Sequence, residues 1–458
     1  MNVDVMEQPE ACQQPRVESG TWIAARIRQL MQRFPSASQG LLSIFDQAVV
    51  SGTGFTTAVI IGRMTSRDEL GLYYVVLSLV LICSGIQEQV IAAPYIVYSK
   101  RRRGRELAEY YGSTWWHHFV LTVVVLAVLM AAIPALTLIG RTDIVPGIWA
   151  LLGAGPLWLL RDAIRRFNYA HLHVRSAIVL DVIVAVVQLG GLALLGYFGM
   201  LSLFAIYAMM GAACGIASVG WYLSAPPRVR LNRTRLMSDW RNNWAFGKWA
   251  VRTFLLGNTT PYIMVWLLAL SVGAAATGVL GACTTLIGIT NILLSGVANV
   301  LTPQAAHAYA SGGAGDLRRV LGRTAVFLAL ALGSLVLLVT LTGDRLAVFV
   351  FGAQYQGTGP ILIALAFAAL LNSIGMVVGN GLWAIDQPRA NFLADVCCIS
   401  VTLAVAAALV FPLGALGAAL ASLAGAFVAA VVRTFTLIRY LDRDVVASAN
   451  AVHPAVST

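Results

Sequence analysis

Lys248 and Arg252 stand one helical turn apart near the start of an apolar stretch. Two cations at i and i+4 share a helix face and can grip a diphosphate from one side. At a helix start they oppose the dipole, so local helix electrostatics does not account for them; snorkelling to lipid phosphate is the alternative. Arg161, Arg165 and Arg166 cluster in the same way at the end of another apolar stretch, as a second anion grip or as a solvated rim. Glu88, flanked by Gln87 and Gln89, lies nearest the middle of its stretch. A carboxyl at that depth requires a proton, a cation or a watery cleft, unless a buried hydrogen-bond network satisfies it. Asp46 sits in a first turn, as Asp181 and Asp395 do near theirs, where the helix dipole favours a carboxylate. Glu88 and Asp46 are the candidates for coupling or gating, by protonation or by pairing with Lys248 and Arg252. Asn291, Ser295 and Asn299 form a stripe at i, i+4 and i+8 that either lines a polar cavity or lets helices pack closely.

Other chemistry finds little support. Cys12, Cys83, Cys214, Cys283, Cys397 and Cys398 show no CxxC or Cys/His ligand spacing, and all but Cys12 fall in apolar stretches as small packing residues. His117, His118, His171 and His173 carry no metal-ligand pattern. Asp442-Arg443-Asp444 matches a short DxD motif but lies in a tail too short to fold around it. No G-x-x-x-x-G-K-[ST] phosphate loop occurs, so neither ATP nor any other cofactor is expected. No catalytic residue is assigned.

The elements that must position these residues are membrane helices. The chain is 59% hydrophobic and only 11% charged, with a mean hydropathy of +0.78, which excludes a soluble globular protein. Twelve apolar stretches fall near 42–63, 72–97, 115–139, 145–162, 177–198, 201–223, 248–270, 276–303, 323–343, 358–384, 391–411 and 414–438, each long enough to cross a bilayer. Of the 31 Lys and Arg, 27 lie in alternate gaps and termini; the opposite gaps hold only Arg63, Arg67, Arg141 and Arg345. That bias puts both termini in the cytoplasm of a twelve-span inner-membrane protein. The net charge of +11 then faces anionic membrane lipids and is no argument for nucleic acid.

The chain divides into a segment 1–40, a six-helix bundle 41–223, a cytoplasmic linker 224–247, a second six-helix bundle 248–440 and a tail 441–458. Trp22, Ile23, Ile27, Leu30, Met31 and Phe34 share one face of a possible interfacial helix in the first segment. No cleavable leader is visible there. The bundles read as copies. Ala170, Arg175 and Asp181 recur in spacing as Ala384, Arg389 and Asp395, and Gly71 with Pro94 recurs as Gly278 with Pro303. Six spans per copy give both the same orientation and a pseudo-twofold along the membrane normal.

Several of these segments resemble polysaccharide flippases of the Wzx type. The resemblance rests on Asp46-Gln47-x3-Ser51 through Gly62-Arg63, on Glu69-Leu70-Gly71-Leu72-Tyr73, on Ala93-Pro94 before Lys100-Arg101-Arg102-Arg103, and on Trp383-Ala384 before Arg389-Ala390-Asn391. It implies a V-shaped, two-bundle transporter of the superfamily that also holds multidrug extruders and the lipid II flippase. It further implies export of undecaprenyl-diphosphate-linked oligosaccharide, alongside other polysaccharide-assembly proteins. Lipid II flippases carry two additional spans, and none is counted here. A multidrug or cation antiporter of the same fold, with Glu88 as its carboxylate, is the rival. A polymerase or ligase would need a chemistry-bearing outward loop, and every outward loop here is short.

Overall fold

The computed structural model describes residues 35–224, 229–258 and 260–452. The expected interfacial helix of the first segment lies outside these residues. Within them the chain is helical and holds no strand: α1 Pro35–Met64, α2 Arg67–Ser99, α3 Gly104–Leu138, α4 Val145–Ala170, α5 Val174–Tyr197, α6 Leu203–Ser224, α7 Arg233–Asn258, α8 Thr260–Ser271, α9 Ala274–Gly288, α10 Thr290–Phe351, α11 Gly359–Ala384, α12 Pro388–Leu413 and α13 Ala415–Val452. Nine are individually long and apolar enough to cross a membrane, ten if the bent pair α7–α8 counts as one span. The other two expected spans are α4, whose C-terminal part is charged, and α9 with the first part of α10.

Backbone amides in a bilayer must be satisfied within the segment, so the apolar stretches become helices. Their ends follow local signals. Ser66 caps α2 by accepting from the Glu69 N–H at 3.2 Å. Gly352, at φ 103°, ends α10 in a conformation that suits glycine.

Three details depart from the sequence reading. The stretch 224–247 is helical from Arg233 onward, because Trp240, Asn243 and Gly247 face the base of the first bundle and give the helix something to pack on. The eighth span is interrupted at Ile289, and its second part continues through 304–322 into the ninth, with a non-helical Gly313 between them. Finally, α2 contains a π-helical turn over Glu88–Ala92.

The pairing of helices repeats. In the first half α4 and α5 both pack on α6, and in the second α11 and α12 both pack on α13. The halves meet where α2 crosses α9, the second span against the eighth. There Gly71 and Gly278 lie backbone to backbone. A methyl group on Gly71 would overlap the Ala274 carbonyl, and one on Gly278 would overlap the Arg67 carbonyl. The two glycines matched in the sequence are therefore the crossing point of the pseudo-twofold.

Candidate functional site

Around α4, arginines and acids of the first half pair with one another. Arg161 pairs with Asp181; Arg165 joins Asp181 to Asp46 through Nε and Nη2, at 2.6 Å each. Tyr169 also donates to Asp46 at 2.6 Å. Arg166 reaches Glu88 at 2.5 Å and Asp162 at 3.4 Å. Asp46 and Asp181 are fully buried at the side chain, whereas Glu88 remains 38% exposed. α4 supplies the three arginines: positions 161 and 165 share a helix face toward Asp181 and Asp46, and 166, about 100° further round, turns to Glu88, while α1, α2 and α5 each supply one acid. The expected pairing of Glu88 and Asp46 with Lys248 and Arg252 is not what the structure shows. Both acids pair with α4 arginines, which approach from within their own bundle.

Lys248 and Arg252 lie on α7, about 100° around the helix from Gly247 and Val251, which face the first half. Gly247 lets α7 approach the backbone of Gln89 and Val90 in the π-turn of α2, at 3.0 Å for an added Cβ. Phe254 fills the space beside Gly85. The helix base is pinned by Arg102 to Asp239 at 2.9 Å and by Tyr110 donating to Asn243 at 2.8 Å. Arg252 is exposed and its guanidinium lies 4.6 Å from the Trp249 ring centroid; Lys248 is half-buried, 5.9 Å from the same ring. Neither makes an ion pair with a described acid. These two cations, unlike those of α4, keep their charge available.

A chamber of about 640 Å³ opens between α2, α8, α9, the start of α10, α11, α12 and α13. Arg433 and Asp395 stand at one side of it, 2.5 Å apart, with Gly375 and Gly379 of α11 making room for the guanidinium. Asn291, Asn372 and Tyr262 line it with no described hydrogen-bond partner. Of the Asn291, Ser295 and Asn299 stripe, all are exposed, but only Asn291 belongs to the chamber wall. Sequence reasoning passed over Arg433 and Asn372. The signal was present: a cation and an amide inside apolar runs, each costly in lipid unless a cavity receives it. Asp395 was read as a helix-start carboxylate, which its ion pair supersedes.

At the arginine-poor end the halves are latched. Arg63, in the last turn of α1, donates to the carbonyls of Phe349 and Val350 at the end of α10, and Gln354 donates back to the carbonyls of Gly62 (2.5 Å) and Thr65 (3.2 Å). Arg141 donates to Ala269 at the end of α8 at 2.8 Å, and Arg67 lies over the Tyr355 ring. Each arginine thus meets exposed carbonyls or an aromatic face at a helix end of the other half, where the dipole favours a cation. Just inward, Trp266 donates to Ser78 at 2.8 Å and Tyr74 meets Thr285 at 2.5 Å.

Elsewhere, His171 in the loop after α4 has its pKa lowered by burial first, then by the neighbouring His173 and Lys100. It lies 2.8 Å from the Tyr95 hydroxyl, a contact a neutral ring makes readily. No group of three potential metal ligands occurs among the described residues.

No protein-family model matches the sequence, and comparison with curated proteins found no match. Solved structures do match. The lipid II flippase MurJ in an inward closed conformation aligns with TM-score 0.69 at 13% identity, over 88% of this chain and 87% of that one. An inward-facing multidrug resistance MATE transporter of the MOP superfamily aligns at 0.63 and 13% identity, over 88% and 95%. An outward-facing MATE transporter aligns at 0.57 and 12%, over 88% and 94%. The chain thus has the fold of MOP-superfamily transporters and is a multi-pass membrane protein.

Proposed function

We propose that this protein is a flippase of the bacterial inner membrane, with both termini cytoplasmic. It carries undecaprenyl-diphosphate-linked oligosaccharide from the cytoplasmic to the outer leaflet by alternating access. The observation that carries the reading is the difference between paired and unpaired charge. Glu88, Asp46, Asp181 and Asp395 each hold an arginine, whereas Lys248 and Arg252, on the helix that leads into the chamber wall at Gly257 and α8, pair with no described acid. Cations left without an acid attract an anion, and an i, i+4 pair of them matches two adjacent phosphates. Moved outward across an inside-negative membrane, each negative charge gains about 2.3 kcal/mol per 100 mV.

In this cycle the diphosphate docks at Lys248 and Arg252 while the arginine-poor end is latched. Release of Arg63, Gln354 and Arg141 from their carbonyl partners then opens the other side. Glu88, half-exposed and held by Arg166, responds to the arriving charge. The rival, a cation antiporter, draws on the likeness to MATE transporters and makes Glu88 or Asp395 the cation ligand; the guanidinium on each supports it poorly.

The test is a deletion strain whose lipids and surface glycan are analysed together. Accumulation of undecaprenyl-linked oligosaccharide with loss of surface polysaccharide is expected. An unchanged glycan profile with new sensitivity to cationic drugs would move the protein to the rival.

A further inference from the structure

Among the described residues Asp395 and Arg433 are the only charged ones lining the chamber, and their formal charges cancel. A chamber for a lone cation or anion would carry unmatched opposite charge, because desolvating an ion without a partner is prohibitive. This one offers instead neutral groups that both donate and accept. The amides of Asn291 and Asn372 and the hydroxyl of Tyr262 face it without described partners, and Asp395 keeps 39% of its side chain open although Arg433 holds it. Unpartnered amides persist within a membrane domain only where a polar occupant or water satisfies them. The rings of Tyr74 and Tyr262 add flat apolar surface, and the volume lies in the range of sites that enclose a compact ligand.

We infer that the chamber binds an uncharged, polyhydroxylated ring system: the glycan of the lipid-linked substrate. Its hydroxyls meet Asn291, Asn372 and Asp395, while the diphosphate stays outside the chamber at Lys248 and Arg252. Arg433 acts as a positioning residue that orients the Asp395 carboxyl as an acceptor. The inference rests on the flippase reading and adds to it a division of labour, with charge read on α7 and sugar read in the second half.

The experiment measures thermal unfolding of the purified full chain in nanodiscs with two probes of equal tail length, octyl β-glucoside and octyltrimethylammonium. A saturable rise in stability with the glucoside is expected. Asn372→Leu and Asn291→Leu should each weaken its apparent affinity about fivefold to tenfold, the loss of one or two hydrogen bonds. Lys248→Ala/Arg252→Ala should leave it in place while abolishing the response to geranyl diphosphate. A saturable response to the ammonium probe alone, removed by Asp395→Asn, would overturn the inference and the flippase reading together. No saturable response to either octyl probe, in a protein whose deletion still accumulates lipid-linked oligosaccharide, would overturn the inference and leave the flippase reading standing.

Discussion

The two halves share an arrangement of helices and use their polar residues in opposite ways. In the first, four acids and three arginines are consumed by one another around α4, and the fully buried side chains of Asp46 and Asp181 are held by guanidinium groups. In the second, a single ion pair stands beside a chamber whose amides are unsatisfied. The repeat-matched acids make the contrast sharp. Asp181 takes its arginines from the fourth span, whereas Asp395 takes Arg433 from the twelfth. Equivalent backbones therefore need not carry equivalent chemistry. The first half is braced to move as a unit, and the second keeps capacity for a ligand.

The strongest way to break this contrast is to unbalance each ion pair. Arg165→Ala leaves the buried Asp46 without a counter-charge and should cost about 3–5 kcal/mol, read as lost yield and early thermal unfolding. Arg433→Ala should cost clearly less, because Asp395 is part-exposed; equal losses would mean the halves are braced alike. Next in size are Lys248→Ala/Arg252→Ala, which should lower translocation more than tenfold with unfolding unchanged. Arg252→Lys should be tolerated, since the charge is retained.

The seam between the halves gives the next effect. Gly71→Ala or Gly278→Ala forces backbone apart at the crossing of α2 and α9, so a cysteine placed at Gln354 should become reactive to an impermeant thiol reagent. Unaltered labelling would show that the seam yields without opening. Arg63→Ala removes two hydrogen bonds to α10, each worth about 1 kcal/mol, and should raise the same labelling several-fold at most. The smallest change is Glu88→Gln. It frees a half-exposed Arg166 that Asp162 still holds, so transport should slow by a few-fold while the fold stays intact.

Much of this was legible in the chain. The positions of the apolar stretches and the 27-to-4 distribution of cations specify the spans, because lipid allows few alternatives. Gly71 and Gly278 could be matched by spacing, although their contact could not be foreseen. Side-chain pairing was less legible. Asp46 and Arg165 are 119 residues apart, and which cation an acid meets depends on helix rotation that periodicity leaves open. Arg433 and Asn372 were visible as polar residues in apolar runs, but the chamber receiving them is completed by α2, α8, α9, α10 and α12. The helix across 233–247 was hidden because its apolar face packs on its own protein, while its polar face reads as a loop.

The most direct test of the central claim is translocation in proteoliposomes. An undecaprenyl-diphosphate oligosaccharide would be followed by its accessibility to an impermeant glycan-modifying reagent, with wild type compared to Lys248→Ala/Arg252→Ala. The account predicts rapid exchange in the wild type and a drop of more than tenfold in the variant, with both proteins equally folded. Equal rates in the two would contradict it, because the unpaired cations of α7 would then have no part in moving the substrate.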